Sequence, residues 1–240
     1  MPRILAVGDV HGCLGRLLAL LEAVRPAAGD TLVLLGDLVD RGPDSAGVLD
    51  WVARYDGPAD LVVLRGNHDL MMLEARDALA AGDADPASEW IAMGGRETLA
   101  SYTGTPSGQL GPPLIEQFAA VPDSHWDVLA ATRPYFETAG TVFVHALPDA
   151  SLPMPDQCEH DLYWRKLRDF PPRHLSGKRV VCGHTSQKAG RPRWNEDLVC
   201  LDTDAARGGP LTCMEVGTDR VWRAFAGGRV EERPLHEFAA

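Results

Sequence analysis

The sequence predicts an α/β fold whose first half is a parallel sheet. Three observations carry this: short Val/Leu-rich runs recur and halt at Gly, Asp or His, segments of helical period separate the first three, and 45% hydrophobic composition over 240 residues suffices for a large buried core. The runs are ILAVGD from Ile4, TLVLLGD from Thr31, LVVLRGN from Leu61, TVFVHA from Thr141, RVVCGH from Arg179 and LVCLDT from Leu198. Continuous apolar runs of this length suit strands covered on both faces.

The helical segments are LGRLLALLEAV, Leu14 to Val24, and SAGVLDWVARY, Ser45 to Tyr55, the second preceded by the helix-start signal GPDS. The order β-α-β-α-β predicts parallel pairing with right-handed crossovers. From Leu70 to about Ala131 the pattern turns helical, with LMMLEARDALAA, ASEWIAMGGRETLASY and LIEQFAAV separated by loops such as GTPSGQLGPP. This reads as a helical insertion over one edge of the sheet, so 1–240 is expected to be a single domain with an inserted cap. After Thr141 strands return at close spacing with little helix between, ending in LTCMEV and RVWRAF, which predicts a mixed second half.

Composition excludes several classes of function. With 34 acidic residues against 23 Lys+Arg the net charge is −11, so extended nucleic acid is an unsuitable partner. A compact phosphorylated substrate stays admissible, because divalent cations reverse the local field. The five cysteines, at 13, 158, 182, 200 and 213, form no CxxC pair and read as reduced thiols. No run reaches the length of a membrane span, and the first apolar run is broken by Asp9. A soluble, cytoplasmic protein is expected.

The chemistry sits at the strand ends. Strand one ends in GDVHG (Asp9, His11), strand two in GDLVDRG (Asp37, Asp40, Arg41), strand three in GNHD (Asn67, His68, Asp69), and later strands in VHA (His145) and GHT (His184). Asp9, His11, Asp37, Asn67, His145 and His184 make a mixed nitrogen and oxygen donor set suited to Mn, Fe, Ni, Co or Zn, and their number suits two ions. Loop caps and turn formers are the alternative source of Asp and Asn at such places. Six candidates on five strand ends make that alternative improbable. His125, His160, His174 and His236 are isolated and receive no role.

The ordered series GDVHG, GDLVDRG, RGNHD, His145 and GHT resembles the calcineurin-like metallophosphoesterases, and in detail the bacterial and phage branch of the PPP-type serine/threonine phosphatases. DTDAARGGPLTC, RGNHDLMML and GGRETLASY are similar to further stretches of that branch, so the resemblance covers nearly the whole chain. It implies an αββα sandwich of two mixed sheets flanked by helices, with two divalent metal ions, Mn foremost, at the strand ends. It further implies that Asp9 and His11 hold the first metal and that Asp37 bridges both. Asn67 would bind the second ion, which His145 and His184 complete, one of them reaching the first. His68 would be the general acid, held by Asp40, and Arg41 would bind phosphoryl oxygens.

A second phosphate-binding Arg is expected from a family segment like LLWIRE, and the chain has DLYWRKLRD there. Aligning on Trp164 gives Lys166 and aligning on Tyr163 gives Arg165; the reading takes Arg165. Asp204 stands where relatives commonly have Gly, near the rim, where it either disfavours very acidic substrates or pairs with Arg207. For substrate, Asp69 resembles the symmetric dinucleoside-tetraphosphate hydrolases, whereas Asp40 resembles the protein phosphatases. The expectation is therefore a two-metal phosphomonoesterase acting on phosphoserine or phosphothreonine in protein or peptide and on small aryl phosphates. Its alternative is a symmetric dinucleoside-tetraphosphate hydrolase. A non-catalytic metal-binding scaffold would leave His68, Asp40 and Arg41 without purpose.

Overall fold

The structure is a computed structural model that describes residues 2–106, 109 and 111–238; part of the loop read over 104–113 therefore lies outside the described residues. The first half runs Ile4–Val7 (β1), Leu14–Val24 (α1), Thr31–Leu34 (β2), Ser45–Ala53 (α2) and Asp60–Val63 (β3). β1, β2 and β3 pair in parallel, as the β-α-β-α-β order requires. The GPDS signal acts at Asp44, whose carboxylate accepts the Gly47 N–H and so caps α2.

Five helices follow: Asn67–Ala80 (α3), Asp85–Trp90 (α4), Arg96–Thr103 (α5), Leu114–Ala119 (α6) and Asp123–Ala130 (α7). Helix α3 starts three residues ahead of the helical pattern, at the Asn67-His68-Asp69 motif itself. Asp69 supplies the cause, because its carboxylate accepts the Gly66 N–H within the helix start and the Leu38 N–H from the loop after β2. The segment Ile91–Gly95 joins α4 to α5 as a π-turn broken at Gly94 (φ +128°), so the long helix read over ASEWIAMGGRETLASY is two helices with a kink.

The remaining elements are Tyr135–Glu137 (β4), Thr141–Val144 (β5), Glu159–Tyr163 (α8), Arg179–Cys182 (β6), Arg193–Trp194 (β7), Leu198–Cys200 (β8), Leu211–Glu215 (β9), Arg220–Ala224 (β10) and Val230–Pro234 (β11). Two mixed sheets result, ordered β11-β10-β9-β1-β2-β3 and β4-β5-β6-β8-β7. Strand alternation explains how they stack: Ala6, Val33, Phe143, Val181 and Met214 meet between the sheets. Leu5, Val7, Leu32 and Leu34 face α1 and the helices after β3, while Val142, Val144, Val180 and Cys182 face outward with α8. Both faces of each central strand are buried, which is why these strands read as unbroken apolar runs. No helix among the described residues is long and apolar enough to cross a membrane.

Candidate active site

The chain leaves β1, β2, β3, β5 and β6 at one rim, and there the structure gathers the residues singled out in the sequence. Asp9, Asp37 and His145 place one ligand atom each within 4.8 Å of one another, and so do His11, Asp37 and His68. Asp37 belongs to both groups. The neighbouring strand ends interlock through the backbone, His11 N–H donating to the Asp37 carbonyl (2.7 Å) and Gly12 N–H to that of Leu38 (2.9 Å).

The rim backbone is strained in a consistent way. His11, Asp37, Asp40, Arg41 and His184 all adopt positive φ, between +44° and +75°, a region costing roughly 1–3 kcal/mol for a side chain-bearing residue. Such strain persists only where the surroundings over-determine it. Two glycines give the room: a Cβ at Gly66 would run into the Asp37 carboxylate, and one at Gly183 into that of Asp9. This is the physical reason for Gly before Asn67 and before His184.

Each of three histidines donates one ring N–H to a backbone carbonyl and turns its other nitrogen to the rim. His11 Nδ1 donates to Val39 (2.8 Å), His145 Nδ1 to Leu35 (2.8 Å) and His184 Nε2 to Trp164 (2.9 Å). The lone-pair nitrogens then face carboxylate or amide oxygen: His11 Nε2 lies 3.3 Å from Asp37, His145 Nε2 3.4 Å from Asp37, and His184 Nδ1 2.9 Å from Asn67 Oδ1. That tautomer control is the arrangement of metal-ligating imidazoles. His68 differs, its Nδ1 sitting 2.6 Å from the Asp40 carboxylate and its buried Nε2 having no protein partner among the described residues.

The electrostatics fit cation ligands. Asp9, Asp37 and Asp202 are 1–2% exposed, and among the described residues no Lys or Arg lies within ion-pair distance of any of them. Burial, with Asp202 and Asp37 beside it, pushes Asp9 well above the usual carboxylate range, and burial likewise raises Asp202. Asp37 goes the other way: burial alone would raise it, but His145, His68, His11 and His184 hold it far below the ordinary value. Burial holds His11 down to about 3 and His184 to about 4, so both rings are neutral near pH 7, as ligands must be. Buried carboxylates without a protein cation, facing neutral imidazoles, are a donor set suited to divalent metal ions.

Asp40 orients His68 and is itself tied to the helices after β3. Its Oδ2 accepts the indole N–H of Trp90 (2.8 Å), its Oδ1 accepts the Thr98 hydroxyl (2.7 Å), and Arg41 N–H donates to the Gly94 carbonyl (3.0 Å). Burial works against charging His68, yet Asp37 and Asp40 hold its pKa above the ordinary value. Burial also raises Asp40. The sequence does not foresee the bonds of Trp90 and Thr98 to Asp40, which join distant segments, nor a place for Asp202, although Asp202 in LVCLDT sits at a strand end like the others and was recoverable.

Beside the rim lies a cavity of about 460 Å³ lined by Asp37, Asn67 and His68 and by the cations Arg41, Lys166, Lys188 and Arg207. Arg165 needs correction as the second phosphate ligand. It turns to Asp161 (3.3 Å) and Asp149 (3.7 Å), and Lys166 lines the cavity in its place. The reason is local: Arg165 lies one turn after Asp161, within i,i+4 reach. Arg41 lines the cavity while its Nη1 donates to His11 Nε2 (2.7 Å). Asp204 lies 3.8 Å from Arg207.

The family model for calcineurin-like phosphoesterases matches residues 2–209. The chain belongs to that family. It is accordingly a metal-dependent phosphoesterase, and the family's divalent metal ions match the Asp and His groups of the rim. The chain is 30% identical to the symmetrical bis(5'-nucleosyl)-tetraphosphatase of Nitrosospira multiformis, over 93% of this chain and 96% of that protein. It is also 30% identical to the protein of the same name from Paracidovorax citrulli, over 94% and 96%. Among solved structures, a candidate diadenosine tetraphosphatase aligns with TM-score 0.61 at 22% identity over 98% of this chain and 96% of that one. A cold-active protein tyrosine phosphatase aligns with TM-score 0.61 at 18% identity over 98% and 80%, so the fold is common to both substrate classes.

These relatives overturn the expectation of a serine/threonine phosphatase with phosphorylated protein or peptide as its partner. Matches over nearly their whole length carry the name of a nucleoside tetraphosphatase. Asp40, read as a mark of protein substrates, orients the His68 ring, an arrangement compatible with any phosphate ester. Asp69 is fully buried and ties Leu38 to Gly66, and burial with Asp37 nearby pushes its pKa to about 7.

Proposed function

We propose that the chain hydrolyses dinucleoside tetraphosphates symmetrically. Water adds to one of the two central phosphorus atoms and the bridging oxygen leaves on the other, giving two nucleoside diphosphates. The observation that carries this reading is the cavity beside the rim: Arg41, Lys166, Lys188 and Arg207 converge there in a chain of net charge −11. Four cations suit a polyphosphate better than a single phosphoryl group. The names of the full-length relatives agree with it.

In this reading Asp9, His11 and Asp37 would hold one ion, and Asp37, Asn67, His145 and His184 the other, a donor set suited to Mn, Fe, Ni, Co or Zn. When bound, the ions supply charge neutralisation at the phosphoryl oxygens and lower the pKa of water towards about 7. The protein's own residues do the rest. His68 directs its free Nε2 to the leaving oxygen and gives it a proton, while Asp40 fixes the ring and supports its charged form. Arg41 binds phosphoryl oxygens through its planar guanidinium, and Lys166, Lys188 and Arg207 hold the rest of the phosphate chain. Residues 1–240 act as one domain, and the helical segment of about 70–131 is an insertion that steadies Asp40.

The test offers Mn²⁺-loaded protein diadenosine tetraphosphate, a phosphoserine peptide and p-nitrophenyl phosphate in parallel. The kcat/KM for the tetraphosphate should exceed that for the peptide by about 10²-fold or more, since the peptide leaves most of the cationic cavity unpaired. A preference for the peptide would overturn the reading.

A further inference from the structure

A second cleft, of about 450 Å³, adjoins the cationic cavity and shares Lys188 with it. Its walls combine Phe170, Trp194 and Phe238 with Lys188, Arg191 and Arg193. The chain thus places three aromatic rings and three cations together beside its phosphate cavity, although acidic residues outnumber basic ones overall. Such a volume lies within the usual range of small-molecule sites, about 300–1,000 Å³.

Two of the rings are already covered. The Arg193 guanidinium lies 4.9 Å from the Phe170 centroid and is pinned by bonds to the Leu167 (3.0 Å) and Arg168 (2.9 Å) carbonyls, and Arg223 lies 4.6 Å from the Phe238 centroid. Among the described residues no guanidinium stacks on Trp194. This ring is half-buried on the edge strand β7, packed against the apolar layer between the sheets. A half-buried aromatic ring that no cation among the described residues covers, next to a cation shared with a phosphate cavity, has the chemistry of a nucleobase site.

We infer that this cleft binds one nucleoside of the substrate, its base against Trp194, while Lys188 holds the phosphate chain at the passage into the catalytic cavity. The inference rests on the proposed tetraphosphatase reading and deepens it by naming where the nucleoside lies. Base stacking on an aromatic ring is worth about 1–3 kcal/mol, so loss of the ring should weaken nucleotide binding about tenfold.

The experiment compares ADP with inorganic pyrophosphate as ligands of the Mn²⁺-loaded protein by calorimetry, for the parent and Trp194→Ala. The parent should bind ADP about tenfold more tightly than pyrophosphate, and in Trp194→Ala the two affinities should converge. Turnover of p-nitrophenyl phosphate should stay at the parent level, which also reports that the variant is folded. If Trp194→Ala fails to fold, Trp194→Leu keeps the apolar bulk and removes the stacking face. Persistence of the ADP preference without the ring would overturn the cleft. A parent that discriminates ADP from pyrophosphate through Trp194 yet does not cleave diadenosine tetraphosphate would support the cleft and overturn the proposed activity instead.

Discussion

Two ends of the same sheet treat buried carboxylates in opposite ways. Ahead of β1 and β2, Asp30 is 4% exposed and fully partnered: it takes two bonds from the Arg3 guanidinium (2.6 and 3.0 Å) and one each from the Arg3 and Ala27 backbone N–H groups (2.8 and 2.9 Å). These partners outweigh the cost of burial and hold its pKa down to about 2. Beyond the other ends of β1 and β2, Asp9 and Asp37 are also buried and lack a Lys or Arg partner among the described residues. The same side chain, shielded from water in each place, is paired by Arg3 near the surface at one end and left without a protein cation in the interior at the other. What separates them is whether the protein supplies the cation.

The comparison breaks most readily at the metal. Exhaustive chelation should abolish phosphoester turnover, and Mn²⁺ should restore it; full turnover in metal-free protein would mean that the unpaired carboxylates need no cation. Asp37→Asn should then leave fewer than two ions per chain by elemental analysis, since Asp37 alone belongs to both ligand groups. Two ions held as tightly as in the parent would remove it from the bridge.

Next in size is His68→Asn, which should retain both ions and lower kcat by about 10²–10⁴-fold, the usual worth of a positioned general acid. The loss should be smaller for p-nitrophenyl phosphate than for phenyl phosphate, whose leaving group needs the proton more. Equal losses would give His68 a phosphate-positioning role instead. Because His68 also lies within the His11–Asp37 group, a lost ion in this variant would make His68 a ligand. Thr98→Val removes one donor to Asp40 and should lower kcat about tenfold, a bond to a charged group being worth roughly 1.5–3 kcal/mol. An unchanged kcat would show that the helices after β3 do not steady the acid.

Much of this was legible in the chain. The six apolar runs became strands because both faces of each are covered, and the Gly-flanked Asp, His and Asn residues marked where the backbone turns at the rim. Two short strands were missed: β4 and β7 span three and two residues and, unlike the equally short β8, are not part of a continuous apolar run. β11 reads VEERP, polar and at a sheet edge, so no buried face betrays it. The direction of Arg165 and the reach of Trp90 and Thr98 to Asp40 depend on packing between distant segments. Substrate class was misjudged because Asp40 was taken as a marker of protein substrates, whereas its carboxylate is spent on His68, Trp90 and Thr98 inside the protein.

The smallest expected effect concerns stability and sharpens the contrast between the two ends. Asp30 has a folded pKa of about 2, below the unfolded value of about 3.9, so its contribution is present above pH 4 and is lost as pH falls through 2. Asp30→Asn should therefore cost about 1–2 kcal/mol at pH 7, allowing for solvent screening near the surface, and progressively less towards pH 3, by denaturant midpoints. Turnover per folded molecule should not change. Asp9→Asn in chelated protein should cost no stability, because it removes a buried charge that the protein does not pair. A stability loss at Asp9 equal to that at Asp30 would erase the distinction.

The most direct test of the proposed chemistry is the nucleotide product formed from diadenosine tetraphosphate by the Mn²⁺-loaded protein, separated by ion-exchange chromatography. The account predicts ADP alone, two per substrate consumed. ATP with AMP, or an intact tetraphosphate in a preparation that still hydrolyses p-nitrophenyl phosphate, would contradict it.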